Sequence, residues 1–425
     1  MSTNRRDFLK IAGMAAFGSV ALSGCQAPKS DIGEDPFAGL TSMTGDIKPI
    51  VKEDYENRHN RARSLMKKEG IDALYLSGSN NLYYFSGINM GGGDRLFAMF
   101  LPQEGAPAFV CANFEVPRAK ERIKYGAEDV RPWHEHEDPF RLFADIMRER
   151  GIDKSVIGVD EKLPYWYYNS LTQRAPDAKY TPADPVTHEM RLIKEPKEIA
   201  LTRRAVEVTM EAYRAAFKTV HPGMTQAELR ENIALAFKAL GAAGRGGGSF
   251  GPASGNPHGS TIEYPLEEGT VILVDGGCRL DNYPSDISRT ITCGGKASDK
   301  VKKVFEIERQ AQLAGIKAIR PGAKCEDADL AARQVMEDAG YGPGYKYFAH
   351  RFGHGFGLDG HDGPLHLVTG NKTPMRVGMM FTAEPGIYIP GEFGIRLEED
   401  VLVTEDGCEV FAREYMSTAI DKPFG

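Results

Sequence analysis

Four carboxylates and one imidazole in the second half of the chain have the types and spacing to hold metal: Asp275, Asp286, His354, Glu384 and Glu398. Asp275 closes an apolar run over 271–276 and Asp286 opens another over 286–293, so a hairpin would bring the two carboxylates together. Glu384 and Glu398 stand likewise on stretches 378–388 and 394–404, a second strand pair joined by a Pro/Gly-rich turn. Between the pairs, Arg351-Phe352-Gly353-His354-Gly355-Phe356-Gly357 offers a histidine whose glycine neighbours let backbone and ring approach closely. Four carboxylates in a largely apolar sheet are costly unless cations neutralise them. With one imidazole they carry charge for two divalent ions and leave positions open for water. The hard oxygen set with one nitrogen suits Mn, Co, Fe or Zn more than a calcium cage or copper. Two such ions about 3.5–4 Å apart would share a water and lower its pKa, which implies hydrolysis. Taken singly, these acids read as turn residues or exposed strand polars. Their order and flanks together carry the metal reading.

The elements that must position them begin near a boundary at 184–197. Glu195-Pro196 opens a long helix, with Pro suited to the first turn, running to about Val220 where Pro222-Gly223 stops it. Thr225-Gln226-Ala227-Glu228 is a capping box for the next helix. Residues 241–248 read as a glycine-rich loop, and no GK[ST] makes it a phosphate cradle. The paired strands follow, with helices over 302–319 and 327–340 between them, giving an α+β domain over 188–425. Upstream, a helix over 53–70, strands at 73–76, 96–101, 108–111 and 156–159, and helices near 117–124 and 139–150 alternate as an α/β domain over 50–187.

Several stretches are more specific. They are Gly251-Pro252-Ala253-Ser254-Gly255-Asn256-Pro257-His258-Gly259, Leu273-Val274-Asp275-Gly276-Gly277-Cys278, Ser285-Asp286-Ile287-Ser288-Arg289-Thr290, residues 350–361, Thr382-Ala383-Glu384-Pro385-Gly386-Ile387-Tyr388 and Gly394-Ile395-Arg396-Leu397-Glu398-Glu399-Asp400. Over about 50–425 the chain resembles the pita-bread metallopeptidases, in the prolidase and aminopeptidase P (Xaa-Pro peptidase) branch. The resemblance implies a creatinase/prolidase-type N-terminal α/β domain followed by an α+β pita-bread catalytic domain. It implies two divalent ions, Mn first among Mn, Co, Zn and Fe. Asp275 would ligate one ion alone, Asp286 and Glu398 would bridge, and His354 and Glu384 would hold the second, Glu384 also taking a proton. His258 and His361 match the two non-ligand catalytic histidines, placed to hydrogen-bond the scissile carbonyl and the leaving side. His350 and Arg396 match groups that support the ligands or orient substrate. The implied partners are short proline-containing peptides, and the N-terminal domain of this branch often forms a homodimer and roofs the cleft. Another amide hydrolase or a lyase on a small metabolite could use the same dinuclear site. The chain departs from the pattern in the turn Arg279–Pro284, in Asp362 where Glu is commoner, and in Glu399 where Asp is common. All three lie outside the ligand set.

At 425 residues the chain is long for one core, which favours two domains. Its 41% hydrophobic and 26% charged residues exclude disorder and a multi-span membrane protein. The formal charge of −7 excludes a basic nucleic-acid surface. Residues 1–25 stand apart. Asn4-Arg5-Arg6-Asp7-Phe8-Leu9-Lys10 precedes an uncharged run over 11–22, short for a transmembrane span and the size of a signal-peptide core. The arginine pair resembles a twin-arginine export signal, and Leu22-Ser23-Gly24-Cys25 a lipobox with Cys25 lipidated. These predict an exported protein, lipid-anchored to a membrane and facing the periplasm or cell exterior, with a polar tether over 26–49. Beyond Cys25 the five cysteines are odd in number and scattered, which argues for small buried hydrophobes over a disulfide framework or zinc ribbon. Trp133–Asp138 is dense in His and Glu but reads as a solvated loop, and Tyr165-Trp166-Tyr167-Tyr168 as domain packing or a dimer contact.

Overall fold

A computed structural model describes residues 36–89 and 95–425. The export signal, Cys25 and the first part of the tether lie outside them.

The first domain is one six-stranded sheet. Its strands are β1 (Ala73–Ser77), β2 (Ala98–Pro102), β3 (Ala108–Ala112), β4 (Val130–Trp133), β5 (Val156–Val159) and β6 (Lys179–Pro182), in the order β4-β3-β2-β1-β5-β6. Strand β2 runs antiparallel to both neighbours and the other pairings are parallel. Every residue of β1, β2 and β3 is buried, as strands covered on both faces require, so they read as continuous apolar runs. Edge strands β4 (Val-Arg-Pro-Trp) and β6 (Lys-Tyr-Thr-Pro) are half-exposed, and their polar composition hides them from a hydrophobicity reading. The helices are α1 (Lys52–Glu69), α2 (Asn80–Ser86), α3 (Val116–Arg122), α4 (Pro139–Glu149), α5 (Tyr165–Arg174) and α6 (Asp184–Leu192). In α5, Tyr165 and Trp166 are exposed while Tyr167 is buried.

The second domain opens with α7 (Pro196–Phe217) and α8 (Gln226–Ala239), the latter started by the Thr225/Glu228 capping box. The glycine-rich stretch expected to be a loop is instead strand β7 (Gly244–Phe250), antiparallel to β8 (Val271–Leu280) over seven residues. Its glycines bring the sheet close beneath α8. A Cβ at Gly248 would lie 2.7 Å from Leu229 Cδ2, one at Gly246 3.1 Å from Ile233 Cδ1, and one at Gly244 would overlap the Phe237 ring. Strand β8 does not end at Asp275. It continues to a two-residue turn at Asp281 (φ 46°) and Asn282 (φ 68°), then β9 (Tyr283–Pro284) and β10 (Ile287–Thr292). Asp275 therefore sits mid-strand opposite Ser288, and Asp286 just before β10.

Helices α9 (Asp299–Ala318) and α10 (Cys325–Asp338) lead to the short pair β11 (Gly353–His354) and β12 (His366–Leu367). The single strand pair expected over 378–404 is split in two. Strand β13 (Met380–Ala383) pairs with β16 (Glu399–Thr404), itself paired with β17 (Gly407–Val410), while β14 (Gly386–Ile389) pairs with β15 (Phe393–Arg396). Pro385, which has no N–H, stands at the break.

From residue 36 the stretch read as a tether belongs to the fold. Phe37 and Ile50 are buried and Leu40, Met43 and Ile47 pack against the same cluster. Met43 N donates to Leu240 O (3.0 Å) and Ile50 N to Asp281 Oδ2 (2.9 Å). An apolar residue every three or four positions does the packing, while the polar residues between them dominate the composition. The same cluster runs from Leu74 and Phe85 through Met190 to Tyr213 and Ile272, so the two domains share a core.

Candidate metal centre

Period-two alternation turns Asp275 and Asp286 to one face. Asp275 and Ser288 are paired opposite each other, and Asp286 precedes Ser288 by two residues. Glu384 and Glu398 occupy the gap between the two split strand pairs, where neither is in a ladder. Their backbones are held across the gap instead: Glu384 N donates to Phe352 O (2.8 Å) and Glu398 N to Ser288 O (3.1 Å). The buried Arg289 locks the same junction, Nη1 donating to Ser288 O and Glu398 O (both 3.0 Å) and Nη2 lying 2.9 Å from Glu399 Oε1. That pairing gives Glu399 its partner.

His354 arrives on β11. A Cβ at Gly353 would overlap Thr382 O and one at Gly355 would overlap Asp362 O, so its glycine neighbours do permit the close approach expected of them. His354 Nδ1 lies 3.1 Å from Gly355 O, an acceptor only, which fixes that nitrogen as N–H and leaves the Nε2 lone pair 3.3 Å from Glu384 Oε1. Ligand atoms of Asp286, His354 and Glu398 all lie within 4.8 Å of one another. Asp275 and Glu384 border this trio. Asp275 Oδ2 pairs with Arg396 Nη2 (2.8 Å), and Glu384 Oε1 accepts from Thr382 Oγ1 (3.2 Å). Arg396 Nε also donates to Ser288 Oγ (2.9 Å), which lies 2.7 Å from Glu398 Oε2.

The electrostatics fit a cation. Burial first, then Asp275 and Glu384, push the Asp286 carboxyl well above its ordinary range; burial and then Asp286 do the same to Glu398. Burial, opposed by Arg396 and reinforced by Asp275, lifts Glu384 to about 7. Burial holds His354 down at about 3, so it offers a neutral imidazole. Clustered carboxylates that protonate rather than share an apolar site, beside a neutral imidazole with an inward lone pair, are a donor set for divalent metal.

These groups line a cavity of about 520 Å³ with Pro257, His258, His350, Arg351, His361, His366 and Val368. His361 stacks on His354 with ring centroids 3.9 Å apart, and its Nδ1 accepts from Arg351 Nη2 (2.9 Å). His258 is exposed on the cavity wall. His350, expected to support the ligands or orient substrate, has both ring nitrogens committed: Nδ1 to Arg351 O (2.8 Å) and Nε2 to Tyr388 Oη (2.7 Å). Tyr388 Oη accepts from Arg396 Nη1 (3.0 Å), so His350 and Arg396 form one chain buttressing Asp275. Ser288, Thr382 and Tyr388 are not singled out by the sequence alone. A signal exists for two of them, since Ser288 and Thr382 stand two residues from Asp286 and Glu384. A second trio, Glu161, Asp184 and His188, lies in the first domain, its His188 Nε2 3.4 Å from each carboxylate as an ordinary ion pair. Trp133–Asp138 forms no such group among the described residues.

The family described as Creatinase/Prolidase N-terminal domain matches residues 58–193, and Metallopeptidase family M24 matches residues 200–405. The Xaa-Pro dipeptidase of Lactobacillus helveticus is 33% identical over 360 residues, covering 83% of this chain and 95% of its own length. The chain belongs to metallopeptidase family M24. Among solved structures, the recombinant prolidase of Thermococcus sibiricus superposes with a TM-score of 0.77 at 30% identity, covering 84% of this chain and 96% of that one. Dipeptidase PepE of Mycobacterium ulcerans gives 0.78 at 30% identity, covering 86% and 97%. The chain is thus a metallopeptidase with a creatinase-type N-terminal domain and a pita-bread M24 catalytic domain. M24 enzymes are metal-dependent, and the trio Asp286, His354 and Glu398 is a group that could hold a metal ion.

Proposed function

We propose that this M24 peptidase is a dinuclear-metal hydrolase cleaving Xaa-Pro bonds in dipeptides or short peptides. The observation that carries the reading is the convergence of Asp286, His354 and Glu398 within 4.8 Å, bordered by Asp275 and Glu384, in a cavity that also holds His258 and His361. Asp286 and Glu398 would bridge two ions, Asp275 would hold one, and His354 and Glu384 the other. Manganese is our first choice, with Co, Zn and Fe as alternatives. The chemistry such ions supply is water activated near neutral pH and a polarised scissile carbonyl. The chain's own residues do the rest. Glu384, held as a carboxylate beside the ions, takes the proton that water gives up and passes it to the departing nitrogen. His361, whose Nδ1 is occupied by Arg351, presents Nε2–H as a donor to the developing oxyanion, and His258 hydrogen-bonds the leaving side. An Xaa-Pro bond is a tertiary amide, so no donor from its nitrogen is needed. The names of the relatives support proline as the residue after the bond.

We further propose twin-arginine export, a lipid on Cys25 and a homodimer built through the first domain. Cys25→Ala should then release the protein from membranes, and unchanged fractionation would discredit the lipid. The test of the activity is hydrolysis of an Xaa-Pro dipeptide and an Xaa-Pro tripeptide by chelated protein resupplied with Mn, Co or Zn. Metal-dependent cleavage supports the reading, and the dipeptide-to-tripeptide ratio separates dipeptidase from aminopeptidase. No cleavage with two ions bound per chain would favour a different small amide or a lyase substrate at the same centre.

A further inference from the structure

The loop that carries His361 is gripped from the other domain. Arg191, at the end of α6, is only 3% exposed. Its Nη2 donates to Asp359 Oδ2 (2.5 Å) and Asp362 Oδ1 (2.6 Å), and its Nη1 to Asn81 Oδ1 (2.8 Å). Lys194 Nζ donates to Asp362 Oδ2 (3.3 Å) and to Arg191 O (2.6 Å). Asn80 Nδ2 donates to Asp359 Oδ1 (2.6 Å), and Lys162 Nζ lies 3.0 Å from the same oxygen. Two carboxylates bracket His361, one two residues before it and one directly after, and both are bound by donors from the first domain and its exit. Gly357 brings the backbone down onto this grip: a Cβ there would lie 2.8 Å from Lys194 Cε and overlap the Asp362 carboxylate.

A buried ionic cluster is a weak way to glue two domains that already share an apolar core, because desolvation cancels much of the attraction. What such a cluster supplies is direction, since a guanidinium fork fixes the angle and distance of each carboxylate it holds.

We propose that Arg191 is a positioning residue of the hydrolytic site. Through Asp359 and Asp362 it sets where the His361 ring stands over His354, so the first domain tunes the catalytic step of the second. This tuning presupposes the role proposed above for His361. The decisive experiment is a double-mutant cycle of Arg191→Gln with His361→Ala, reading kcat, KM and bound metal. The expected result for Arg191→Gln is a kcat loss of about 10- to 100-fold with KM within a few-fold and metal content unchanged. In the His361→Ala background the same change should cost less than about twofold, because the residue it acts through is gone. Arg191→Lys should restore part of kcat. Additive losses, or metal lost along with activity, would overturn the proposal. Should Arg191→Gln fold poorly, Asp362→Asn runs the same cycle from the other side of the contact. Hydrogen exchange gives a reading free of substrate: either variant should speed exchange over residues 355–366 while β13 and β16 keep their protection. Unchanged exchange there overturns the clamp, whereas wild-type protein that cleaves no Xaa-Pro peptide counts only against the proposed activity.

Discussion

Consider the chelated protein taken from about pH 5 to about pH 9. The Glu384 carboxyl has an ordinary value of 4.5 and is lifted to about 7 in the fold, chiefly by burial. Above 4.5 the unfolded chain releases this proton, while the folded apoprotein keeps it until about 7. A carboxyl raised in this way contributes stability that is complete below 4.5 and is lost as pH rises through 7. The displacement of roughly 2.5 pK units corresponds to about 3 kcal/mol. Asp286 and Glu398, pushed up by burial and by their acidic neighbours, add in the same direction. The buried histidines act on the other side. His59 and His350, held near 4, and His354, held near 3, weaken the fold as pH falls below their ordinary 6.5. Glu384→Gln removes the carboxyl together with its push on Asp286 and Glu398 and leaves those histidines in place, so the difference between the two apoproteins reports the buried acid cluster through Glu384. Urea unfolding should find wild type losing at least about 3 kcal/mol relative to Glu384→Gln between about pH 4.5 and pH 8. Metal-loaded wild type should show the opposite slope, because its ligands bind deprotonated. A difference that stays flat over this range would refute the buried-carboxylate account of the site.

Four further outcomes follow from named contacts. Asp286→Ala should lose both bound metal and activity, while His361→Ala should keep its metal by elemental analysis and lose roughly 100-fold in kcat. Gly248→Val places a branched side chain against Leu229 and should destabilise the protein by about 1–3 kcal/mol in thermal melts, with metal stoichiometry unchanged at permissive temperature. Phe37→Ala should cost about 3 kcal/mol by denaturant unfolding if residues 36–50 are folded strapping, and nothing if they are a free tether.

The candidate metal ligands are legible in the sequence because chemistry constrains them jointly: four acids and one histidine on strand-like segments, three of them beside a glycine or proline, rarely come together except around a cation. The central strands of the first domain are legible for a related reason, since burial on both faces writes an unbroken apolar run. What stays hidden is written in contacts between distant segments. The strand Gly244–Phe250 is hidden because its residues are chosen for what they leave out, and only the position of α8 gives the reason. The split at Pro385 depends on which partner each half of the strand finds. The strap at residues 36–50 buries one side chain in three or four, too sparse to register against Pro, Gly and Ser. Arg191 is invisible for the same reason: its carboxylate partners lie 168 and 171 residues away.

The gap that holds Glu384 and Glu398 has an evolutionary consequence. Neither side chain belongs to a strand ladder, and the backbone bonds that span the gap use main-chain atoms that any residue but proline supplies. A lineage could therefore exchange both glutamates for neutral residues and keep every paired strand. Mutational drift at these two positions would extinguish the chemistry long before it unmade the architecture, leaving a shaped cleft open to selection for some other ligand.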